Sequence, residues 1–275
     1  MKNTTALTYN LFNCSAELKE SIALIVDILQ PEKIFLMEQE EDNHTPNLVI
    51  IMPENEQGDA VEIHQLQELN QLTKQKINFR IIKSTTYEAL FKVSPIYFTV
   101  TCNKQTLAYD DGYFAVLEGK ETNLFADKEQ ASLCFDSGME RMNELLAEAK
   151  TYSESNSNQA ALCLYTATVT CLNTLLTSLT GEISLTSQLN ELIESVALLN
   201  CSVHQIFTDG TCTDERLLKI LHEANSRNSV NTAVAVADVD ELITRITLLL
   251  KIAESTFADW LGRYEFYFLN NDIDE

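Results

Sequence analysis

Two periodicities divide the chain. Up to about residue 125, short apolar runs alternate with amphipathic stretches; beyond it, helical spacing dominates. "SAELKESIALIVDILQ" repeats its apolar residues at helical spacing, with Ser15 placed to cap the helix and Pro31 to stop it. "KIFLM" and "NLVIIM" are continuous apolar runs near prolines, which predicts buried strands. "DAVEIHQLQELNQLTKQK" carries an amphipathic helical stripe, and "INFRII" reads as a further strand. "TTYEALFKV" reads as a short helix capped by Thr85, and "IYFTVTCN" with "QTLAYDDGYF" as strand, turn, strand. These elements predict a mixed α/β domain over residues 1–125.

From 126 to 275 the pattern predicts an all-α domain of five helices, so the fold class is α+β. The first helix runs from about Lys128 to Tyr152 and ends at the polar break "SESNSN". "QAALCLYTATVTCLNTLLTSLTG" is apolar almost all round, which marks a central helix, and Gly181 is its stop. "TSQLNELIESVALL" places Leu189, Leu192, Ile193 and Val196 on one face, with Thr186 or Ser187 as cap. "TDERLLKILHEA" begins at Thr213 or Asp214. The last helix, "DVDELITRITLLLKIAESTFADWL", opens on Asp238 with Glu241 as a variant capping box. The terminal "NNDIDE" reads as a frayed tail. All four prolines fall in the first 95 residues, and proline is costly inside helices, so composition agrees with this division.

Charge narrows the partners. The net charge is −22, from 41 acidic and 19 basic residues. Broad attraction to nucleic acid or to anionic membrane needs the opposite sign. No apolar stretch of spanning length and no signal-type core is read, so a cytoplasmic protein without membrane association is expected. The seven cysteines are scattered and form no CxxC, which predicts reduced thiols rather than disulfides or a zinc site.

The words "NQAALCLYTATVTCLNTLLTSLTGEISLTSQLNELI" carry a resemblance. Leu164, Tyr165, Thr166, Ala167 and Val169, then Thr180, Gly181, Thr186, Ser187 and Leu189, fall in the frame of the central helices of the HEPN family. The C-terminal half therefore resembles a HEPN bundle. The polar letters differ: Thr166 stands for Gln, Val169 for Glu and Ser187 for His. "PEKIFLMEQEEDNHTPNLVIIMPE" resembles, more weakly, the nucleotidyltransferase-like domain found beside such bundles. The resemblance implies a homodimer through the bundle and a nucleotide or RNA ligand.

It also implies two sites, and both have lost residues. In an active transferase the first strand ends in Gly-Ser and the next carries Asp-x-Asp for magnesium. Here Met37 and Glu38 occupy the first motif, and Asn47 and Val49 the second. An amide and a valine cannot replace two carboxylates, so neither metal nor cofactor is expected. HEPN ribonucleases pair an arginine with a histidine about four to six residues apart, where histidine is acid or base and arginine binds phosphate. Arg227-Asn228 stands at the arginine, and no histidine follows. Arg227 and Asn228 thus read as an anion- or nucleotide-binding remnant, or Arg227 as a helix C-terminal arginine favoured by the macrodipole.

Other chemistry reads as structural. Arg216 and His222 lie on one helix about 240° apart, facing away from each other. His44, His64 and His204 are isolated. Trp260 and Arg263 in "WLGRYEFYF" suit aromatic packing or a base-stacking platform, and Tyr109 suits strand packing. Three functions follow from the sequence. The leading one is a non-catalytic nucleotide- or RNA-binding or scaffolding protein. The alternatives are a toxin-type ribonuclease using Arg227, and an acidic module that binds a basic protein.

Overall fold

The computed structural model describes residues 14–37, 45–54, 77–112, 123–183, 188–208, 210–225 and 234–271. The chain is mixed α+β and divides into two compact units, Met1–Thr122 and Asn123–Glu275.

In the first unit α1 (Ala16–Leu29) starts where expected. The Ser15 hydroxyl accepts the Leu18 N–H at 3.1 Å, which satisfies one of the helix's free donors. The helix ends at Gln30, in the left-handed region at φ 51°, whose N–H donates to the Val26 carbonyl. The strands are β1 (Lys33–Met37), β2 (Asn47–Met52), β3 (Asn78–Lys83) and β4 (Leu107–Asp110), in sheet order β3-β2-β1-β4. β1 is antiparallel to β2 and β4, and β2 is parallel to β3. A parallel pair needs a crossover; the helix expected in "DAVEIHQLQELNQLTKQK" lies outside the described residues.

Strand side chains alternate faces, so the sheet has two. Ile34, Leu48, Ile50, Met52 and Ala108 pack on Leu18, Ile22, Ile25 and Leu29 of α1. The opposite face carries Phe35, Met37, Asn47, Val49 and Arg80. It meets α2 (Ser84–Val93) and α3 (Pro95–Thr101) through Tyr97 and Phe98.

α3 corrects an expectation, because "IYFTVT", expected as a strand, is helical. Pro95 to Thr99 and Thr101 are all buried, so the run shows no polar face from which a period can be read. Pro95 pre-sets the first helical φ. The Asn103 amide closes the other end by donating to the carbonyls of Thr99 and Val100 at 3.1 and 2.9 Å. Thr85 is not the cap of α2 either. The helix begins one residue earlier without a side-chain cap, and Thr85 donates to Glu54 at 2.7 Å.

The second unit shows six helices among the described residues, not five. They are α4 (Leu124–Tyr152), α5 (Ser157–Thr180), α6 (Leu189–Ala197), α7 (Ser202–Thr208), α8 (Cys212–Asn225) and α9 (Val236–Asn271). The addition is α7, too short to display a period. α4 starts four residues before the expected Lys128, because Asn123 accepts the Ala126 N–H. α5 is capped by Asn156 and stops at Gly181, at φ 72°, as anticipated. Leu189, Leu192, Ile193 and Val196 all face the core; the expected caps Thr186 and Ser187 lie outside the described residues.

Two caps differ. Thr211, not Thr213 or Asp214, starts α8: its hydroxyl accepts from the Asp214 N–H, and the Asp214 carboxylate accepts from the Thr211 N–H. Asp238 is already inside α9, where it pairs with Arg216 at 2.9 Å, while Glu241 pairs with Arg245. α9 also runs on through "RYEFYFLNN", so the first residues of the expected tail are helical and the rest lie outside the described residues.

α5 is the central helix. Contrary to expectation it is long and apolar enough to cross a membrane, and 67% of its most apolar window is buried by the other helices. Gly138 of α4 meets it so closely that an added Cβ would lie 2.7 Å from the Thr174 Cβ. α4 and α9 run antiparallel: Phe135 stacks on Phe257 at 4.0 Å, and Tyr264 donates to Asp127 at 2.8 Å.

Candidate functional site

The strand register brings most of the expected transferase positions together. Met37 faces Asn47 across β1 and β2, and Val49 lies between Phe35 on β1 and Arg80 on β3. Glu38 lies outside the described residues. The Asn47 carbonyl oxygen accepts from the Asn78 amide at 3.0 Å, so its polar group is engaged within the sheet. Val49 is fully buried.

Arg80 is the residue that sequence reasoning passed over. Its place was legible in principle, as a cation two positions after Asn78 in an apolar strand. Its guanidinium is buried under the Tyr97 ring at 4.8 Å and the Phe98 ring at 5.9 Å, a cation–π arrangement. The Tyr97 hydroxyl reaches the Met37 sulfur at 3.6 Å. An amide, a valine and a guanidinium thus stand side by side on a face covered by aromatic rings. The positive charge repels a divalent cation, and the amide and valine offer no charge to hold one.

Two nucleophiles of this unit are subdued, Cys102 beside Arg80 and Tyr109 on the α1 side of the sheet. Burial pushes the Cys102 thiol up to about 12, against the smaller opposing pull of the Thr101 hydroxyl and the Arg80 charge. Tyr109 pairs with Ile34 in the sheet, and burial, then Asp111 and Asp110, hold its phenol above the ordinary value. A phenol that ionises less readily is a weaker acceptor for group transfer. Among the described residues no group of three or more His, Cys, Asp and Glu is placed to hold a metal ion.

The expected bundle site, Arg227 and Asn228, lies outside the described residues. After it, the Val234 N–H donates to the Asn158 side chain at 3.1 Å. Arg216 and His222 do diverge: one binds Asp238 of α9, the other meets Asn190 of α6 at 3.1 Å. His204 is exposed, and His44 and His64 lie outside the described residues. Trp260 is buried and donates to the Leu199 carbonyl at 3.3 Å, with Arg263 at 5.6 Å from its ring. It packs, and offers no open platform.

The polar centre of the bundle was not anticipated. Arg245 donates to Glu241, to the Ile206 carbonyl and to Asp214, at 2.9, 2.7 and 2.5 Å. Hydrogen bonds from Thr211, then from Arg245, hold the Asp214 carboxyl below the usual range. Arg245 of α9 thereby reaches two other helices, α8 by its ion pair with Asp214 and α7 by its hydrogen bond to the Ile206 carbonyl. No protein-family model matches the chain, and no curated protein matches it in sequence.

Proposed function

We propose that this chain is a non-catalytic binding or scaffolding protein. In this reading a nucleotidyltransferase-like unit that has lost its chemistry precedes a HEPN-like bundle, with a nucleotide or RNA as ligand and a second copy as partner. The observation that carries it is the sheet face of Asn47, Val49 and Arg80 beneath Tyr97. Where nucleotidyl transfer needs clustered carboxylates and a metal, this face supplies a guanidinium and a cover of rings. Both cores are packed, so folding is retained where the transfer chemistry is not.

Two measurements test it together. Purified protein with magnesium, labelled nucleoside triphosphates and RNA should transfer no nucleotidyl group; metal-dependent transfer overturns the reading. Thermal unfolding against nucleotides and short RNAs should show stabilisation by one of them. A ligand at a hundred times its dissociation constant adds about 2.7 kcal/mol. The shift should shrink in Arg227→Ala, since Arg227 is the candidate anion contact. A flat response across the panel would favour protein scaffolding without a nucleotide.

A further inference from the structure

The corner where the sheet meets α2 is built on acids. Glu32 precedes β1, and its N–H donates to the Ile51 carbonyl at 2.8 Å while its own carbonyl accepts from Asp111 at 3.0 Å. Its backbone thus ties the ends of β2 and β4. Its side chain turns inward, only 6% exposed, and bonds to the side chain of Ser84 at the start of α2. Oε2 finds no hydrogen-bond partner among the described residues.

The titratable groups that face it are Asp111 after β4, Glu88 on α2 and Lys33 on β1. Lys33 gives little relief, because its ammonium is engaged by Asp110 at 2.6 Å. α2 has no side-chain cap of its own. Its first two hydroxyls are held from just beyond the strand ends instead, Ser84 by Glu32 before β1 and Thr85 by Glu54 after β2.

A buried carboxylate oxygen without a donor, beside two more carboxylates, is a poor place for negative charge. The Ser84 bond and the positive end of α2 favour the ionised form. Burial and Asp111 outweigh them, and the Glu32 carboxyl is held above its ordinary range.

We propose that Glu32 is a proton-linked latch: neutral, it holds the first turn of α2 to the sheet, and ionised, it lets that turn go. α2 leads through Ser94 into α3, whose Tyr97 and Phe98 cover Arg80. Protonation of Glu32 is thereby coupled to how firmly that sheet face is closed. Because the closed state raises the carboxyl's affinity for a proton, its contribution is complete below the unfolded value, about 4.3. It is lost as pH rises through the higher folded value. Acid tightens this corner, the reverse of a salt-bridged carboxylate.

The test uses the full chain. Carboxyl ¹³C NMR, with the Glu32 signal assigned by its disappearance in Glu32→Gln, should give a midpoint above that of exposed glutamates. Glu88→Gln and Asp111→Asn should each lower that midpoint by removing a like charge. Glu32→Gln should melt about 2–4 °C above wild type at pH 8, with the difference shrinking at pH 5. A Glu32 midpoint at or below the ordinary value overturns the proposal, and so does a melting difference that does not change with pH.

Discussion

At Gly138 a hydrogen stands where any other residue would place carbon against Thr174. Gly138→Ala should therefore overpack the α4–α5 contact and cost about 1–3 kcal/mol in urea unfolding. Thr174→Ala, by removing the two nearest side-chain atoms, should recover part of that loss in the double variant. A Gly138→Ala protein as stable as wild type would show that the helices can separate freely there. Asp214 acts in the opposite sense to Glu32. Its folded-state carboxyl is held low, so its contribution is present above the unfolded value, about 3.9. It is lost as pH falls through the folded value. Asp214→Asn should thus melt below wild type at pH 7, with the gap closing on acidification; a gap of constant size would remove the ion pair from the account. At this scale the sequence was informative about the Ser15 cap and the Gly181 stop, and misleading about Thr85, Thr213, Asp214 and Asp238. It left Arg80 and Arg245 without an assigned role, because Tyr97 and Phe98 over the one, and Asp214 and the Ile206 carbonyl at the other, come from distant elements.

Among the elements, the long and periodic ones were legible. α1, α5, α6 and the strands β1 to β3 declared themselves through apolar spacing and their punctuation. α3 and α7 did not, each for want of length: seven residues span about two turns, too few for a stripe. Full burial hid the period of α3 as well. The start of α9 was misplaced because Asp238 and Glu241 suit a capping box, while in the fold each has a basic partner instead. The pairing of α4 with α9 rests on the stacked Phe135 and Phe257. Phe257→Ala should cost about 3–5 kcal/mol, read from the urea midpoint. A loss under 1 kcal/mol would mean that the helices are held chiefly by the Tyr264–Asp127 hydrogen bond and by the ion pair of Lys128 with Glu265 at 2.7 Å.

At the scale of the whole chain the dominant quantity is charge. On α4, the exposed acids Asp136, Glu140, Glu144 and Glu148 follow at four-residue intervals, and Arg141 pairs with Glu144 at 2.7 Å. Like charges at that spacing weaken a helix by about 0.2–0.5 kcal/mol per pair. Added to a net charge of −22, this predicts a melting temperature that rises between about 10 and 150 mM salt as repulsion is screened. A melting temperature indifferent to salt would mean the acids are already compensated. The chain splits into two units at Thr122 and Asn123, and all four prolines lie in the first of them. The site expected at Arg227 rests on a word in the sequence alone, because a site also needs neighbours in space and this stretch lies outside the described residues.

The wrapping of α5 has a kinetic consequence. Ala167, Cys171, Leu172 and Leu175 in its middle are fully buried, and the amides on that side are covered while the neighbouring helices stay in place. Local fraying does not reach them, so their protons should trade for deuterons only when the unit opens as a whole. The slowest amides of the second unit should therefore cluster on this uncharged helix, and their common rate would report that unit's global opening free energy.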